Sequence, residues 1–84
     1  MKVMYFTAAW CAPCKALKPI AQQVSLETGV PIDFVDVDQN KQHAMNMQVS
    51  SVPTLIGVDK LGNIKFRHTG MTSKQTLKNL FNSI

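Results

Sequence analysis

The only two cysteines of the chain, Cys11 and Cys14, are separated by Ala12 and Pro13. Cysteines at positions i and i+3 of a helix have Cβ atoms about 5–6 Å apart, which is close enough for a disulfide after a small local adjustment. Such a pair can exchange electrons with another disulfide by cycling between dithiol and disulfide forms. This segment is therefore the first candidate for chemistry.

The sequence places the cysteine pair at the beginning of a helix. Apolar residues recur at helical spacing from Cys11 to about Thr28, and Gly29 follows where a C-terminal cap is expected. The first turn exposes unpaired backbone N–H groups and the positive end of the helix dipole, which lower a cysteine pKa from about 8.5 to roughly 3.5–7.5. We expect Cys11, nearer the helix end and the solvent, to be the nucleophile and Cys14, one turn in, to be the more buried resolving thiol.

Three other roles stay open for the cysteine pair at this point. A structural disulfide across four residues would remove little chain entropy, about 2 kcal/mol, and a reducing cytosol disfavours it. A zinc site would need further ligands, which His43 and His68 do not have the spacing to supply, so only a metal shared between two chains remains conceivable. The third role is that of inert buried thiols. We expect no metal site.

The elements around the cysteines must position them, and their patterns alternate along the chain. The patterns predict strands at Lys2 to Thr7, Pro31 to Val37, Thr54 to Val58 and Ile64 to His68, and helices at Cys11 to Thr28, Lys41 to Met47 and after a capping box at Thr72 to Gln75. The order β-α-β-α-β-β-α predicts an α/β fold with a four-stranded mixed sheet covered by helices on both faces. The cysteines then lie at the carboxyl end of a central strand, where such folds place their sites.

Length and composition limit the classes of function. The 84 residues suffice for one domain, spanning 1–84, and 45% apolar residues can fill its core. The net charge of +4 is scattered rather than clustered, so we expect no nucleic-acid partner. No stretch reaches the roughly 18 apolar residues of a membrane span. The N-terminus faintly imitates a signal peptide, but its removal would delete a strand. We therefore expect a cytoplasmic monomer.

The residues around the cysteines resemble the active site of a known family. Trp10-Cys11-Ala12-Pro13-Cys14-Lys15 is similar to the W-C-G-P-C-K segment of thioredoxins, with Ala12 where glycine is usual. Further matches follow in family order: Pro19, Asp36 to Asn40, Val52-Pro53-Thr54, Gly62 and Gly70. Glutaredoxins typically carry C-P-Y-C and a pair of glycines before the last helix, and this chain has neither.

The resemblance implies a thioredoxin-like fold and a protein-disulfide reductase. It implies that Cys11 attacks a substrate disulfide, that Cys14 resolves the mixed disulfide, and that the bond before Pro53 is cis. The main chain of Val52 would pair with an extended substrate segment. The implied docking surface comprises Trp10, Ala12, Pro13, Val52, Pro53, Gly70 and Met71, with core packing of Met71 as an alternative.

The implied partners are disulfide-containing proteins and a separate reductase, either thioredoxin reductase-like or glutathione, and no bound cofactor is implied. Two alternatives stay open: a glutathione-dependent, glutaredoxin-like enzyme, and a docking subunit that binds a larger enzyme through the apolar surface around the cysteines.

The chain also departs from the family pattern. The usual N-terminal strand and helix are absent, so the sequence reads as a minimal version of the fold. Tyr5 stands where thioredoxins bury an aspartate beneath the second cysteine, and Phe34 stands where the lysine partner of that aspartate lies. An ordinary tyrosine has a pKa near 10. We therefore expect Cys14 to lack an obvious general base, and the rate of disulfide exchange to depend less on pH near neutrality.

Overall fold

The computed structural model describes residues 1–84 and contains four strands and three helices. Their order along the chain is β1 (Lys2–Thr7), α1 (Ala12–Thr28), β2 (Ile32–Asp36), α2 (Lys41–Asn46), β3 (Thr54–Val58), β4 (Ile64–Thr69) and α3 (Lys74–Asn82). This order confirms the predicted fold class. None of the helices combines the length and apolar character that crossing a bilayer would require.

The four strands form one mixed sheet in the spatial order β2-β1-β3-β4. Strand β1 runs parallel to β2 and antiparallel to β3, and β3 forms an antiparallel hairpin with β4. Every residue from Val3 to Phe6 is buried, as expected for an apolar strand that is covered on both faces. The central position of β1 fixes the place where α1 begins.

Helices cover both faces of the sheet, as predicted. The larger apolar cluster contains the inward faces of α1 and α3, and the smaller one contains Ala44 of α2. Alternation along β1 separates the two clusters, because Val3 and Tyr5 face α1 and α3 while Met4 and Phe6 face α2. The sheet is thus held between two unequal apolar layers.

Two helix beginnings differ from the sequence-based prediction. Helix α3 is capped by the Ser73 hydroxyl, which accepts a hydrogen bond from the Thr76 N–H at 3.1 Å. The predicted capping box from Thr72 to Gln75 is therefore wrong by one residue. Helix α1 begins at Ala12, and Cys11 is its N-cap rather than its first helical residue. The first difference is local, whereas the second shapes the site.

Strand β3 has one position at which only glycine fits. Gly57 lies directly opposite Phe66 of β4, and a Cβ atom at Gly57 would overlap the Phe66 ring. That ring packs towards Phe81 of α3, with the ring centroids 6.1 Å apart. The missing side chain of Gly57 therefore makes room for the aromatic contact that joins the hairpin to α3.

We predict that Gly57→Ala lowers the free energy of unfolding by about 1–3 kcal/mol, because the added methyl group overpacks the space against the ring. Chemical denaturation measures this loss. In a Phe66→Leu background the same substitution should cost less, since the smaller side chain vacates the space. An equal loss in both backgrounds would contradict the steric explanation.

Candidate active site

The two cysteines form a disulfide at the N-terminus of α1, with their Cα atoms 5.3 Å apart. Cys11 has extended backbone angles (φ −90°, ψ 104°), which direct its side chain over the first turn of the helix. The backbone N–H of Cys14 donates to Cys11 Sγ at a distance of 3.2 Å. Sulfur thus takes the position in which a serine or aspartate oxygen normally caps a helix.

Both cysteines are buried, with 4% of Cys11 and 1% of Cys14 exposed. Cys14 is the more buried of the two, as expected, but Cys11 does not face solvent freely in the disulfide form. The loop that precedes β3 shields Cys11, and the Val52 carbonyl oxygen lies 3.8 Å from its sulfur. The expected order of burial is thus confirmed, although the loop before β3 leaves little of Cys11 exposed.

The segment around Pro53 lies against the cysteines. The Val52–Pro53 peptide bond is cis, and Pro53 itself is buried. The Pro53 carbonyl accepts a hydrogen bond from the Gly70 N–H at 2.9 Å. The fold therefore brings three separate parts of the chain together: the helix N-terminus, the loop before β3 and the end of β4.

Four of the seven residues assigned to a docking surface are exposed, whereas Val52 and Gly70 are half-buried and Pro53 is buried. Ala12 and Pro13 lie open at the start of α1, and Trp10 is 70% exposed. Met71 is 50% exposed, which excludes the alternative that it packs in the core. A groove of about 110 Å³ runs between Trp10 and Val52, close to the Cys11 sulfur.

Asp38 is a site residue that the sequence reasoning did not assign. Its Oδ2 accepts a hydrogen bond from Trp10 Nε1 at 2.9 Å, across 28 positions of sequence. Asp38 lies two residues after the end of β2, and β2 is parallel to β1, so the carboxyl ends of both strands meet at the same edge of the sheet. This shared edge was the signal that could have paired the indole with the carboxylate.

Tyr5 lies beneath the helix N-terminus, where the resemblance places an aspartate in other members. Its hydroxyl donates to the Cys14 carbonyl oxygen at 2.6 Å, and its ring lies 5.2 Å from the Phe34 ring. Burial raises the pKa of Tyr5 to about 12, because the phenolate would lose its hydration. Tyr5 is therefore a neutral hydrogen-bond donor at neutral pH and not a base.

The site contains the cysteine pair as its only recognisable reactive group. No group of three or more His, Cys, Asp or Glu side chains is placed to hold a metal ion. A buried pair of sulfurs at a helix N-terminus, next to an exposed tryptophan and a cis-proline, can carry out exchange between a dithiol and a disulfide.

The comparison with family models decides which family uses this arrangement. The model described as Thioredoxin matches residues 1–83. The chain belongs to the thioredoxin family. It is similar to the thioredoxin of Chlamydia pneumoniae, with 41% identity over 78 residues that cover 92% of this chain and 76% of that one. It is also similar to the thioredoxin of Bacillus subtilis, with 37% identity over 79 residues that cover 92% and 75% of the two chains.

Solved thioredoxin structures share the fold. Thioredoxin 1 from Thermosipho africanus superposes with a TM-score of 0.88 at 29% identity, covering 98% of this chain and 91% of that one. A mutant thioredoxin from Halobacterium salinarum gives a TM-score of 0.90 at 31% identity, covering 96% and 71%. As a thioredoxin-family member, this chain is a thiol-disulfide oxidoreductase that acts through its Cys11–Cys14 pair, with protein disulfides as substrates and a reductase as electron donor.

We predict that Tyr5→Phe flattens the alkaline stability profile of this thioredoxin-family protein. The native state holds the phenol proton up to about pH 12, whereas the unfolded chain releases it near pH 10.0. Tyr5 therefore contributes stability below pH 10 that is lost as the pH rises towards 12. Denaturation of both proteins at several pH values should show a steeper decline for the wild type in this range.

The same substitution separates a structural tyrosine from a proton carrier. At pH 7 we expect Tyr5→Phe to cost about 0.5–1.5 kcal/mol through the lost hydrogen bond, while the titration of the Cys14 thiol stays nearly unchanged. A large shift of the Cys14 pKa would instead show that the Tyr5 hydroxyl takes part in proton transfer.

Proposed function

We propose that Cys11 is the nucleophile and Cys14 the resolving thiol in the reduction of protein disulfides. The hydrogen bond from the Cys14 N–H to Cys11 Sγ supports this assignment most directly. A backbone donor and the positive end of the helix dipole both stabilise negative charge on that sulfur. The Cys14 sulfur lies one turn further along the helix and is more deeply buried.

The reaction proceeds in two exchanges. The Cys11 thiolate attacks one sulfur of the substrate disulfide, which forms a mixed disulfide and releases the first substrate thiolate. The Cys14 thiolate then attacks Cys11 Sγ and expels the second substrate thiolate. Two electrons pass to the substrate, the proton released by Cys14 compensates the proton taken up by the departing thiolate, and the enzyme is left as the Cys11–Cys14 disulfide.

We propose that the substrate lies as an extended segment along the loop before β3. The Val52 carbonyl is close to the Cys11 sulfur, so a substrate strand that pairs with the Val52 main chain would bring its own disulfide within reach of Cys11. The surface that this segment would contact comprises seven residues: Trp10, Ala12, Pro13, Val52, Pro53, Gly70 and Met71.

We propose further that a thioredoxin reductase-type enzyme returns the electrons and that the cycle takes place in the cytoplasm. The support is the segment Trp10-Cys11-Ala12-Pro13-Cys14-Lys15, which is similar to the active-site segment of thioredoxins, together with the similarity of the chain to bacterial thioredoxins. Turnover with a thioredoxin reductase, compared with turnover on glutathione, distinguishes this donor from the glutaredoxin-like alternative.

We predict opposite outcomes for the two cysteine-to-serine variants. With a dithiol as the electron donor, Cys11→Ser should reduce insulin no faster than the uncatalysed reaction does, because no nucleophile remains at the helix N-terminus. Cys14→Ser should instead accumulate a mixed disulfide between Cys11 and the substrate, which mass spectrometry detects without reductant. If Cys11→Ser instead of Cys14→Ser traps the mixed disulfide with the substrate, the two cysteine roles are reversed. If the protein keeps its physiological role after both cysteines are replaced, that result favours a docking subunit.

We predict that Asp38→Ala weakens substrate binding, because the Trp10 indole loses the acceptor that orients it. KM for a protein disulfide should rise about three- to tenfold, equivalent to about 0.7–1.4 kcal/mol, while kcat changes by less than about twofold. Steady-state kinetics separates the two constants. Asp33→Ala is the matched control, since Asp33 is an exposed carboxylate of β2 that pairs with Lys2 instead; an equal rise in KM there would point to overall charge.

A further inference from the structure

A cleft of about 200 Å³ opens beside Cys14. It is bounded by the first turns of α1 and by the end of β2, and Cys14, Lys18 and Phe34 all contribute to its wall. The buried resolving cysteine therefore borders a space that water can enter. Tyr5 and Phe34 carry no positive charge there, so any side chain that supports a Cys14 thiolate electrostatically must be a different one.

Lys18 is placed to give that support. It lies four residues after Cys14 on α1, and side chains at this spacing share one helix face, with Cβ atoms about 5–6 Å apart. Its ammonium nitrogen lies 4.9 Å from the centroid of the Phe34 ring, within range of a cation–π interaction. Phe34 is partly exposed and packs on the buried ring of Tyr5, so the charged end of Lys18 lies over a ring that is supported from one side at the wall of the cleft.

We propose that Lys18 is a positioning residue that stabilises the Cys14 thiolate during resolution of the mixed disulfide, with Phe34 as the platform that holds its charge. The inference rests on the proposed roles of Cys11 and Cys14. Lys18 removes no proton and contacts no substrate: the proton of Cys14 passes through the water of the cleft and compensates the proton taken up by the departing substrate thiolate. The cation favours the ionised form of Cys14, which attacks Cys11 Sγ.

The other charged and titratable groups near Cys14 do not replace Lys18. Lys15 also lines the cleft, but it is Lys18 and not Lys15 whose ammonium group lies over the Phe34 ring. Asp36 contributes a carboxylate from the end of β2, and its Oδ1 already accepts hydrogen bonds from the Asp38 and Gln39 N–H groups at 2.8 and 3.3 Å. Tyr5 remains neutral over the relevant range, and Cys11 carries no charge while it is joined to substrate.

The experiment titrates the Cys14 thiol after Cys11 has been capped with iodoacetamide, which reproduces an uncharged Cys11. Thiolate absorbance reports Cys14 alone below pH 10, because the one tyrosine of the chain titrates near 12. We expect Lys18→Met to raise the measured Cys14 pKa by about 0.5–1. Resolution of the mixed disulfide at pH 7, followed by stopped flow, should then be about two- to fourfold slower. The smaller fraction of Cys14 thiolate outweighs the higher nucleophilicity of that thiolate.

Three matched variants and one change of salt concentration distinguish a charge effect from a structural one. Lys18→Arg keeps a cation over the ring and should restore both the pKa and the rate. Lys15→Met removes the same charge from the same cleft and should shift the pKa less. Phe34→Leu removes the platform and should shift it in the same direction as Lys18→Met. High salt should narrow the difference between Lys18→Met and the wild type, because the cleft is open to solvent.

The inference is overturned if Lys18→Met leaves the Cys14 pKa unchanged, if Lys18→Arg behaves as Lys18→Met does, or if Lys15→Met has an equal effect. These results differ from failure of the proposed function itself. In that case Cys11 would not react selectively with iodoacetamide at pH 7, and the first step of the experiment would show it before any lysine variant is compared.

Discussion

The site depends on one hydrogen bond at the beginning of α1, in which the Cys14 N–H donates to the sulfur of Cys11. This contact caps the helix, fixes the side chain of Cys11 over the first turn, and places the sulfur where the helix dipole favours negative charge. One interaction thus serves the stability of α1 and the reactivity of its N-cap. The position of β1 makes this possible, because β1 is a central strand and its carboxyl end leads into the start of α1.

Tyr5 lies below the cysteines, at the position where the resemblance implies a buried aspartate. Tyr5 uses its hydroxyl to bind the Cys14 carbonyl and its ring to pack against Phe34. The floor of the site is therefore aromatic and uncharged, and charge is found at its margin, on Lys15, Lys18 and Asp36. A buried acid carries a desolvation cost in the folded state, and this arrangement avoids that cost by leaving its ionised groups in contact with water.

The sequence was sufficient for the elements and the reactive pair, because both follow from local patterns. The apolar run of β1, the helical spacing in α1 and the i, i+3 cysteines each lie within one short segment. It was less informative where two candidates compete within a segment: Thr72 and Ser73 are both good caps, and in the structure Ser73 caps α3. The predicted parallel pairing of β1 and β2 brings the ends of both strands to one edge of the sheet. The individual contacts between distant segments, such as Trp10 with Asp38 or Lys18 with Phe34, were not assigned, because they depend on how the strands and α1 pack together.

The strand order has a further consequence for how these molecules meet at high concentration. Strands β2 and β4 form the two borders of the sheet, where free backbone groups could recruit a strand from another molecule. Lys65 is exposed on β4 and Asp33 is exposed on β2, while the exposed Arg67 of β4 donates hydrogen bonds to the Met47 and Gln48 carbonyls. Charged side chains on edge strands oppose such intermolecular pairing. The charges on β2 and β4 therefore disfavour polymerisation through the edges of the sheet.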